Sequence, residues 1–150
     1  MRIVVQRVKK ASVKVDNKIV GQIGNGLLLF LGAGPFDKAQ GEVKKLASKI
    51  LNLRIFGDKN DKMNLSLLDI KGEILVIPQF TLFADCSKGN RPYFGEAAKP
   101  EIAERLFEKF IVELKKAGLK VEKGEFGAKM EVELVNDGPV TIILNSNGQN

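Results

Sequence analysis

The sequence contains no histidine and no tryptophan, and only one cysteine, among its 150 residues. Without an imidazole, neither a Ser-His-Asp triad nor a Cys-His pair can be assembled, and no histidine can act as a general base. Cys86 lacks such a partner, so we expect it to be a small buried or half-buried residue and not a nucleophile. The hydrolase chemistries that depend on histidine are therefore excluded.

The lack of histidine and the single cysteine also limit which metals the chain could bind and indicate which cellular compartment suits it. With one cysteine and no histidine, a zinc site would need carboxylates almost alone, so we predict no metal, and we expect no cofactor. The Asp-rich segment 57–62 departs from the EF-hand pattern and is expected to be a solvated loop. One cysteine cannot form an internal disulfide, which fits a reducing compartment. No apolar run approaches membrane-spanning length, so we expect a cytoplasmic protein without a membrane partner.

The composition is 44% hydrophobic and 28% charged, which is typical of one globular domain over residues 1–150. A formal charge of +6 favours a polyanionic partner. A surface rich in Lys and Glu also occurs in heat-adapted proteins with no nucleic-acid role, so charge alone leaves both interpretations open. The denser clusters of basic residues are Lys9, Lys10 and Lys14; Lys88 and Arg91; and Lys115, Lys116, Lys120 and Lys123.

Hydrophobic periodicity predicts more strands than helices. A strand pair joined by a turn at 16–18 is expected over residues 3–20, and further strands over 27–31, 73–77, 119–121, 130–134 and 140–144, with 79–82 continuing as a strand beyond Pro78. Because proline cannot donate a ladder hydrogen bond, Pro78 marks a break or an edge. Asp37 can cap a first helix, and Pro100 suits the first turn of a second helix that Gly118 ends. We therefore predict an α+β fold with a mainly antiparallel, barrel-like sheet and two packing helices.

Two short motifs carry most of the functional information. In an extended strand, Gln79 and Thr81 point to the same side while Phe80 faces the core, which by itself indicates an ordinary half-buried strand. Likewise, Gly138-Pro139 by itself indicates only a turn.

Five segments in a fixed order resemble the D-aminoacyl-tRNA deacylases: 1–8, 52–56, 63–67, 78–82 and 136–141. The resemblance runs from Met1 to about Leu144 and is specific, because several unrelated segments match at once. It implies the deacylase-like fold and a tRNA partner. The implied reaction is hydrolysis of the ester between a D-amino acid and the terminal adenosine of tRNA, with action on glycyl-tRNA mischarged on tRNA-Ala as well.

The resemblance also assigns roles to residues. Gln79, Phe80 and Thr81 would line the pocket beside the ester as catalytic residues. In the family the Gly-Pro peptide is cis and enters the active site of the partner subunit, so Gly138 and Pro139 would be a chirality filter. This implies a homodimer.

Three further residues match the family. Phe126 and Met130 match the positions that hold the terminal adenine, and stacking of an aromatic ring on a base is worth roughly 1–3 kcal/mol. Arg7 matches the arginine that supports the Gly-Pro loop. Without the resemblance, Phe126 and Met130 pass for core residues and Arg7 for a surface strand residue.

The chemistry must then proceed without histidine. An aminoacyl ester is already activated and its neighbouring 2′-hydroxyl can assist a water molecule, so the protein need only position the ester and stabilise its oxyanion. Main-chain N–H groups near Phe80 and Thr81 are the candidates for the oxyanion. Thr81 as a covalent nucleophile is the competing hypothesis, ranked lower because no base is evidently placed to activate its hydroxyl.

Two positions depart from the family. Pro78 stands where the family usually has Ser, so a hydroxyl contact to the substrate amino group is lost. A related animal deacylase that acts on an L-amino acid mischarged on tRNA has Pro there, but it carries Ala where this chain has Phe80, so the D-specific interpretation is favoured. A non-catalytic module that binds the tRNA end and a purely structural dimeric protein are the remaining alternatives, and the paired motifs disfavour the second of these. Tyr93 stands where the family more often has a small polar residue.

Overall fold

A computed structural model of the chain describes residues 1–37 and 41–146. Its strands are β1 (Arg2–Val15), β2 (Lys18–Ile23), β3 (Gly26–Gly32), β4 (Phe56–Gly57), β5 (Met63–Leu65), β6 (Glu73–Pro78), β7 (Val121–Lys123) and β8 (Glu131–Asn145). The α-helices are α1 (Gly41–Leu51) and α2 (Pro100–Lys115), and a short 3₁₀-helix covers Phe80–Phe83. The predicted α+β class with two helices is confirmed. No helix within these described ranges is long and apolar enough to cross a membrane.

The main sheet is built around β1, which pairs antiparallel with β2, β3 and β8. β3 then pairs parallel with β6, and β6 pairs parallel with β7. The sheet curls until its two ends nearly meet, since a Cβ atom on Gly21 in β2 would lie only 3.0 Å from the carbonyl oxygen of Lys123 in β7. The barrel-like, mainly antiparallel prediction is confirmed, with β6 and β7 as a parallel extension.

Two apolar clusters lie on opposite faces of this sheet. β3 contributes Leu27, Leu29 and Leu31 to the larger cluster, which α1 and α2 cover. Leu28 points the other way, into a smaller cluster enclosed by the curled sheet. Because full burial of one such side chain is worth about 1.5–3 kcal/mol, both faces of β3 stabilise the fold. The uninterrupted apolar run 27–31 predicted a strand of this kind.

The structure corrects the prediction that 79–82 continues as a strand. β6 ends at Pro78, whose register partner is Leu31, and the chain then turns into the 3₁₀-helix. Pro78 thus marks a break as predicted, but not a sheet edge, because β6 lies between β3 and β7. Phe80 does not face the core, as its side chain is 56% exposed.

Two other predictions differ from the structure, and a third stays a prediction. α1 is described from Gly41 onward, and the residues between Asp37 and Gly41 lie outside the described ranges, so the expected cap by Asp37 stays a prediction. The Asp37 carboxylate accepts hydrogen bonds from the Gly34 N–H at 2.6 Å and the Ser146 hydroxyl at 2.7 Å. Cys86 is exposed and not buried, because it lies in a polar loop outside the sheet. The segments 130–134 and 140–144 belong to the single strand β8, within which lies the Gly138-Pro139 peptide.

Candidate active site

A cavity of about 590 Å³ opens where the carboxyl ends of β3 and β6 meet the start of α2 and the chain leading into β8. Its lining residues are Leu31, Gly32, Ala33, Ile77, Pro78, Gln79, Phe80, Phe94, Ala97, Ala98, Pro100, Ala103, Phe107, Phe126, Gly127, Ala128, Met130 and Val132. None of these side chains is ionisable. The cavity therefore offers apolar surface and main-chain polar groups, with Gln79 as its polar side chain.

Close backbone packing sets the position of the 79–81 motif. The Gln79 N–H donates to the Leu31 carbonyl over 2.7 Å, which extends the β3–β6 pairing by one bond. A Cβ atom on Gly32 would lie 2.8 Å from the Gln79 carbonyl oxygen, so only glycine allows this approach. Beyond it, the Leu82 N–H donates to the Gln79 carbonyl over 3.3 Å and closes the turn.

The three motif residues have different surroundings. The Gln79 amide Nε2 donates to the Thr81 hydroxyl, so the two polar side chains are joined although the segment is not a strand. Phe80 meets Phe94 edge to face, with ring centroids 5.2 Å apart. Gln79 and Phe80 line the cavity, whereas Thr81 is absent from its described wall, and the Thr81 side chain is linked to that wall through Gln79.

Two main-chain donors remain available beside the cavity. The first N–H groups of a short helix have no intrahelical acceptor. Across residues 1–37 and 41–146, no intramolecular hydrogen bond takes up the N–H of Phe80 or of Thr81. An oxygen atom placed near both groups would find two donors.

Phe126 and Met130 line the same cavity and are half-buried, so neither is an ordinary core residue. Phe126 packs against Phe107 of α2, with ring centroids 6.2 Å apart. A Cβ atom on Gly124 would lie 2.7 Å from the Met130 sulfur, so that glycine leaves room for the side chain. The structure thereby brings Pro78, Gln79, Phe80, Phe126 and Met130 together.

The Gly138-Pro139 peptide is cis, and it does not line this cavity within the single chain. Arg7 in β1 lies opposite, where the pairing of β1 and β8 is irregular between Gln6 and Lys10. Arg7 Nε donates to the Asp137 carbonyl over 2.8 Å and lies 3.3 Å from the Asp137 carboxylate. Its guanidinium also donates to the Ile55 carbonyl. Arg7 is therefore a half-buried support of this segment and not a free surface residue.

The clusters of basic residues differ in whether their side chains form ion pairs. Lys116, Lys120 and Lys123 pair with Glu113, Glu73 and Glu108 at 2.6, 3.1 and 2.5 Å. Lys88 and Arg91, by contrast, are exposed and have no ion pair with any residue that the structure describes. Positive charge without an ion pair to a described residue is therefore present beside the cavity, in the loop that leads to Phe94, and it is also present at the exposed Lys9, Lys10, Lys99 and Lys129.

The resolved pKa shifts belong to carboxyls outside the cavity wall. The Ser87 N–H, 2.9 Å from its carboxylate, holds the pKa of Asp85 below its ordinary value and keeps this loop residue ionised. Among the residues described, no group of three or more His, Cys, Asp or Glu side chains could hold a metal ion.

Phe94 and Phe107 also line the cavity, although the sequence alone predicts neither as a site residue. Phe107 was predicted only as part of the apolar stripe of α2, because a residue that lines a cavity and one that fills a core share the same helical spacing. Phe94 did carry a signal, since it is an aromatic residue in an otherwise polar, glycine-rich loop. Its contact with Phe80 depends on the tertiary fold.

Comparison with known proteins agrees with the motifs. A model of the D-Tyr-tRNA(Tyr) deacylase family matches residues 4–145. The chain belongs to this family. The D-aminoacyl-tRNA deacylase of Thermosipho africanus is 59% identical over 146 residues, which cover 97% of each chain. That of Halothermothrix orenii is 57% identical over 149 residues, which cover 99% of each chain.

Solved structures of the deacylase fold superpose closely. A c-Myc DNA Unwinding Element Binding Protein is 42% identical, with a TM-score of 0.89 over 97% of this chain and 98% of that chain. A probable eukaryotic D-amino acid tRNA deacylase is 18% identical, with a TM-score of 0.82 over 95% and 97%, and supports the fold alone. The resemblance read from the motifs is confirmed, and with it the enzyme class of the deacylase family, a hydrolase acting on ester bonds.

Proposed function

We propose that this chain hydrolyses the ester bond of D-aminoacyl-tRNA, releasing the D-amino acid and free tRNA, and that it also acts on glycyl-tRNA mischarged on tRNA-Ala. The observation that supports this most is the cavity itself, which combines an aromatic and a thioether wall with free main-chain donors and has no ionisable lining residue. Such a site suits a substrate that carries its own activated bond. The reaction belongs in the cytoplasm, where aminoacyl-tRNA is made.

In this proposal the terminal adenine binds between Phe126 and Met130, and the ester lies at Gln79 and Phe80. A water molecule, assisted by the ribose 2′-hydroxyl, adds its oxygen to the carbonyl carbon. The N–H groups of Phe80 and Thr81 stabilise the resulting oxyanion, and each donor of this kind contributes about 10²–10³ in rate. The bond to the ribose oxygen then breaks, and that oxygen takes up the proton released by the water.

Chirality is proposed to depend on a second copy of the chain. Because Gly138 and Pro139 do not line the cavity of their own chain, a filter built from them has to enter the cavity of a partner subunit. Main-chain carbonyls presented by this peptide exclude the side chain of an L-amino acid, while a D-amino acid directs its side chain away. Arg7 holds the peptide in place through Asp137. The functional unit in this proposal is a homodimer.

An L-specific deacylase is the second candidate, because Pro78 lines the cavity and offers no hydroxyl to the substrate amino group. A non-catalytic module that binds the tRNA end is the third. Phe80 favours the first candidate, the D-specific deacylase, since its ring packs on Phe94 and so narrows the space beside the proposed position of the ester.

The decisive experiment measures release of amino acid from matched D-Tyr-tRNA and L-Tyr-tRNA by the wild-type chain and by Pro139→Ala. Wild type is expected to hydrolyse the D-ester alone, and Pro139→Ala is expected to lose discrimination. Pro35→Ala, at an exposed proline outside the cavity wall, is the matched control and should behave as wild type. Hydrolysis of the L-ester by wild type would establish the second candidate, and binding without hydrolysis the third.

The dimer has its own test. The chain should elute at twice its mass of 16.5 kDa, and activity per chain should fall on dilution in step with dissociation, because a shared site is lost with the partner. Constant specific activity in a demonstrated monomer would contradict a filter supplied in trans.

A further inference from the structure

One loop beside the cavity has features that the proposed reaction does not use. The rim loop, residues 85–94, is closed at its base by an isolated antiparallel bridge between Asp85 and Tyr93. The two main-chain hydrogen bonds of this bridge measure 2.8 and 2.9 Å. Asp85 also accepts the Ser87 N–H at 2.9 Å. The loop is thus held in place by its own hydrogen bonds, and its last residue, Phe94, lines the cavity.

Aromatic surface is concentrated at this rim. The side chains of Phe80, Tyr93 and Phe94 are exposed by 56%, 65% and 37%. Phe80 and Phe94 fix one another edge to face. The Tyr93 ring lies against the main chain of Gly95, where a Cβ atom would come within 2.2 Å of the ring carbon Cζ. The hydroxyl end of Tyr93 thus lies close to the main chain of Gly95, while most of the residue remains exposed.

Positive charge without compensation lies in the same loop. Lys88 and Arg91 are exposed and have no ion pair within the described part of the chain, in contrast to Lys116, Lys120 and Lys123. Flat aromatic surface next to unpaired cations is the combination that binds single-stranded nucleic acid, through stacking on bases and contact with phosphates.

We propose that the rim loop binds the unpaired nucleotides that precede the terminal adenosine of tRNA, with Tyr93 stacking on a base and Lys88 and Arg91 contacting phosphates. This inference rests on the proposed function in one respect, that the adenosine itself occupies the cavity. The strand that leads to an adenosine in the cavity must pass over its rim, where these three side chains lie in one loop and combine an exposed ring with two exposed cations. Tyr93 is a binding residue here and takes no part in the chemical step.

The chain provides its own probe for this contact. Tyr93 is its single tyrosine and there is no tryptophan, so tyrosine emission reports on this position alone. An RNA hairpin that carries no amino acid and ends in single-stranded CCA should quench the tyrosine emission in a saturable manner. The same hairpin without CCA should not quench it. Saturable binding of the CCA hairpin with unchanged emission would overturn the proposal. This measurement needs no turnover, so it separates the rim contact from the hydrolytic function.

Kinetics give a second readout. Tyr93→Leu should raise KM for D-Tyr-tRNA by roughly 5- to 150-fold, the equivalent of one lost stack, with little change in kcat. It should leave hydrolysis of 3′-O-D-tyrosyl-adenosine unchanged, because that substrate has no preceding nucleotides. Tyr93→Phe keeps the ring and should behave as wild type. Equal effects of Tyr93→Leu on both substrates would place the residue inside the reaction site, and no effect on either would make it a bystander.

Salt dependence tests the cations. Each lost phosphate contact should reduce the slope of log affinity against log salt by about 0.7 for a single strand. Arg91→Ala and Lys88→Ala should each show this reduction with the CCA hairpin. Lys115→Ala removes the same charge at the far end of α2, roughly 22 Å along the helix from Pro100, and should not. If the slope of log affinity against log salt were the same for all three variants, only the net charge of the protein would determine the salt dependence. That result would contradict the proposed phosphate contacts.

Discussion

Arg7 Nε lies 2.8 Å from the carbonyl oxygen of Asp137, the residue immediately before the cis Gly138-Pro139 peptide. The same guanidinium donates to the Ile55 carbonyl, so one side chain in β1 joins two segments that no strand pairing connects. Its side chain is only 14% exposed. In such surroundings a charged hydrogen bond contributes about 1.5–3 kcal/mol, enough to hold a peptide segment in one position.

Replacement of Arg7 by Lys should weaken discrimination between D- and L-esters. Lysine keeps the charge but cannot reach both carbonyls with a planar fork, so the Gly138-Pro139 segment loses one of its supports. We expect the ratio of kcat/KM for D-Tyr-tRNA over L-Tyr-tRNA to fall by roughly tenfold, the equivalent of one such bond. Arg54→Lys, at an exposed arginine that binds Asn64, is the control. An unchanged ratio in a folded Arg7→Lys protein would remove Arg7 from the filter.

Replacement of Thr81 by Ala should leave substantial activity. The Thr81 hydroxyl accepts a hydrogen bond from Gln79 and does not line the cavity, so its loss affects positioning alone. We expect kcat within about tenfold of wild type, whereas loss of a covalent nucleophile would cost on the order of 10⁴-fold or more. Single-turnover hydrolysis of D-Tyr-tRNA distinguishes these outcomes. Complete loss of turnover with intact binding would restore the nucleophile hypothesis.

Replacement of Gly32 by Ala should reduce activity more than stability. The new Cβ atom would lie 2.8 Å from the Gln79 carbonyl oxygen, so the main chain at the motif has to move. Overpacking of this kind costs about 1–3 kcal/mol, and a displacement of about 1 Å at reacting groups can cost 10²-fold in rate. Gly41→Ala is the control, because nothing lies within 4 Å of its added Cβ. Thermal unfolding and kcat/KM should be measured together, and wild-type activity in Gly32→Ala would refute the argument.

Acid should remove the stabilisation that Glu73 provides. The N–H of Gly24 donates to its carboxylate over 2.8 Å and Lys120 lies 3.1 Å away, which lowers the pKa of Glu73. Because the folded-state pKa lies below the unfolded one, the stabilisation is present above about pH 4 and is lost as the pH falls through the folded value. At pH 7 Glu73→Gln should therefore melt about 2–4 °C below wild type, the equivalent of one hydrogen bond.

The difference between these two proteins should shrink as the pH is lowered below about 4, and Glu125→Gln, at an exposed carboxylate, should differ little from wild type over the same range. A difference between wild type and Glu73→Gln that stays constant as the pH falls would mean that packing, and not ionisation, is responsible.

Much of the fold could be predicted because local patterns agree with it. The spacing of apolar residues in α2, with Pro100 at its start, marks a helix that packs by one stripe. The run 27–31 marks a strand buried on both faces. The prediction failed at Phe80, because apolar and polar residues also alternate in a 3₁₀ turn and periodicity over four residues cannot distinguish the two. It failed at Cys86 because average burial of a residue type says little about one position in a loop.

By itself, the sequence determined which chemistry is available and which segments form helices and strands. The absence of histidine, the 79–81 motif and the Gly138-Pro139 pair are matters of residue identity, and they need no coordinates. The tertiary structure decided which of these groups meet. It placed Gln79, Phe80, Phe126 and Met130 around one cavity, and it kept Gly138 and Pro139 outside that cavity. The physical reason is that β3 and β6 pair across more than forty residues of chain, and a contact between distant segments depends on the packing of the whole sheet.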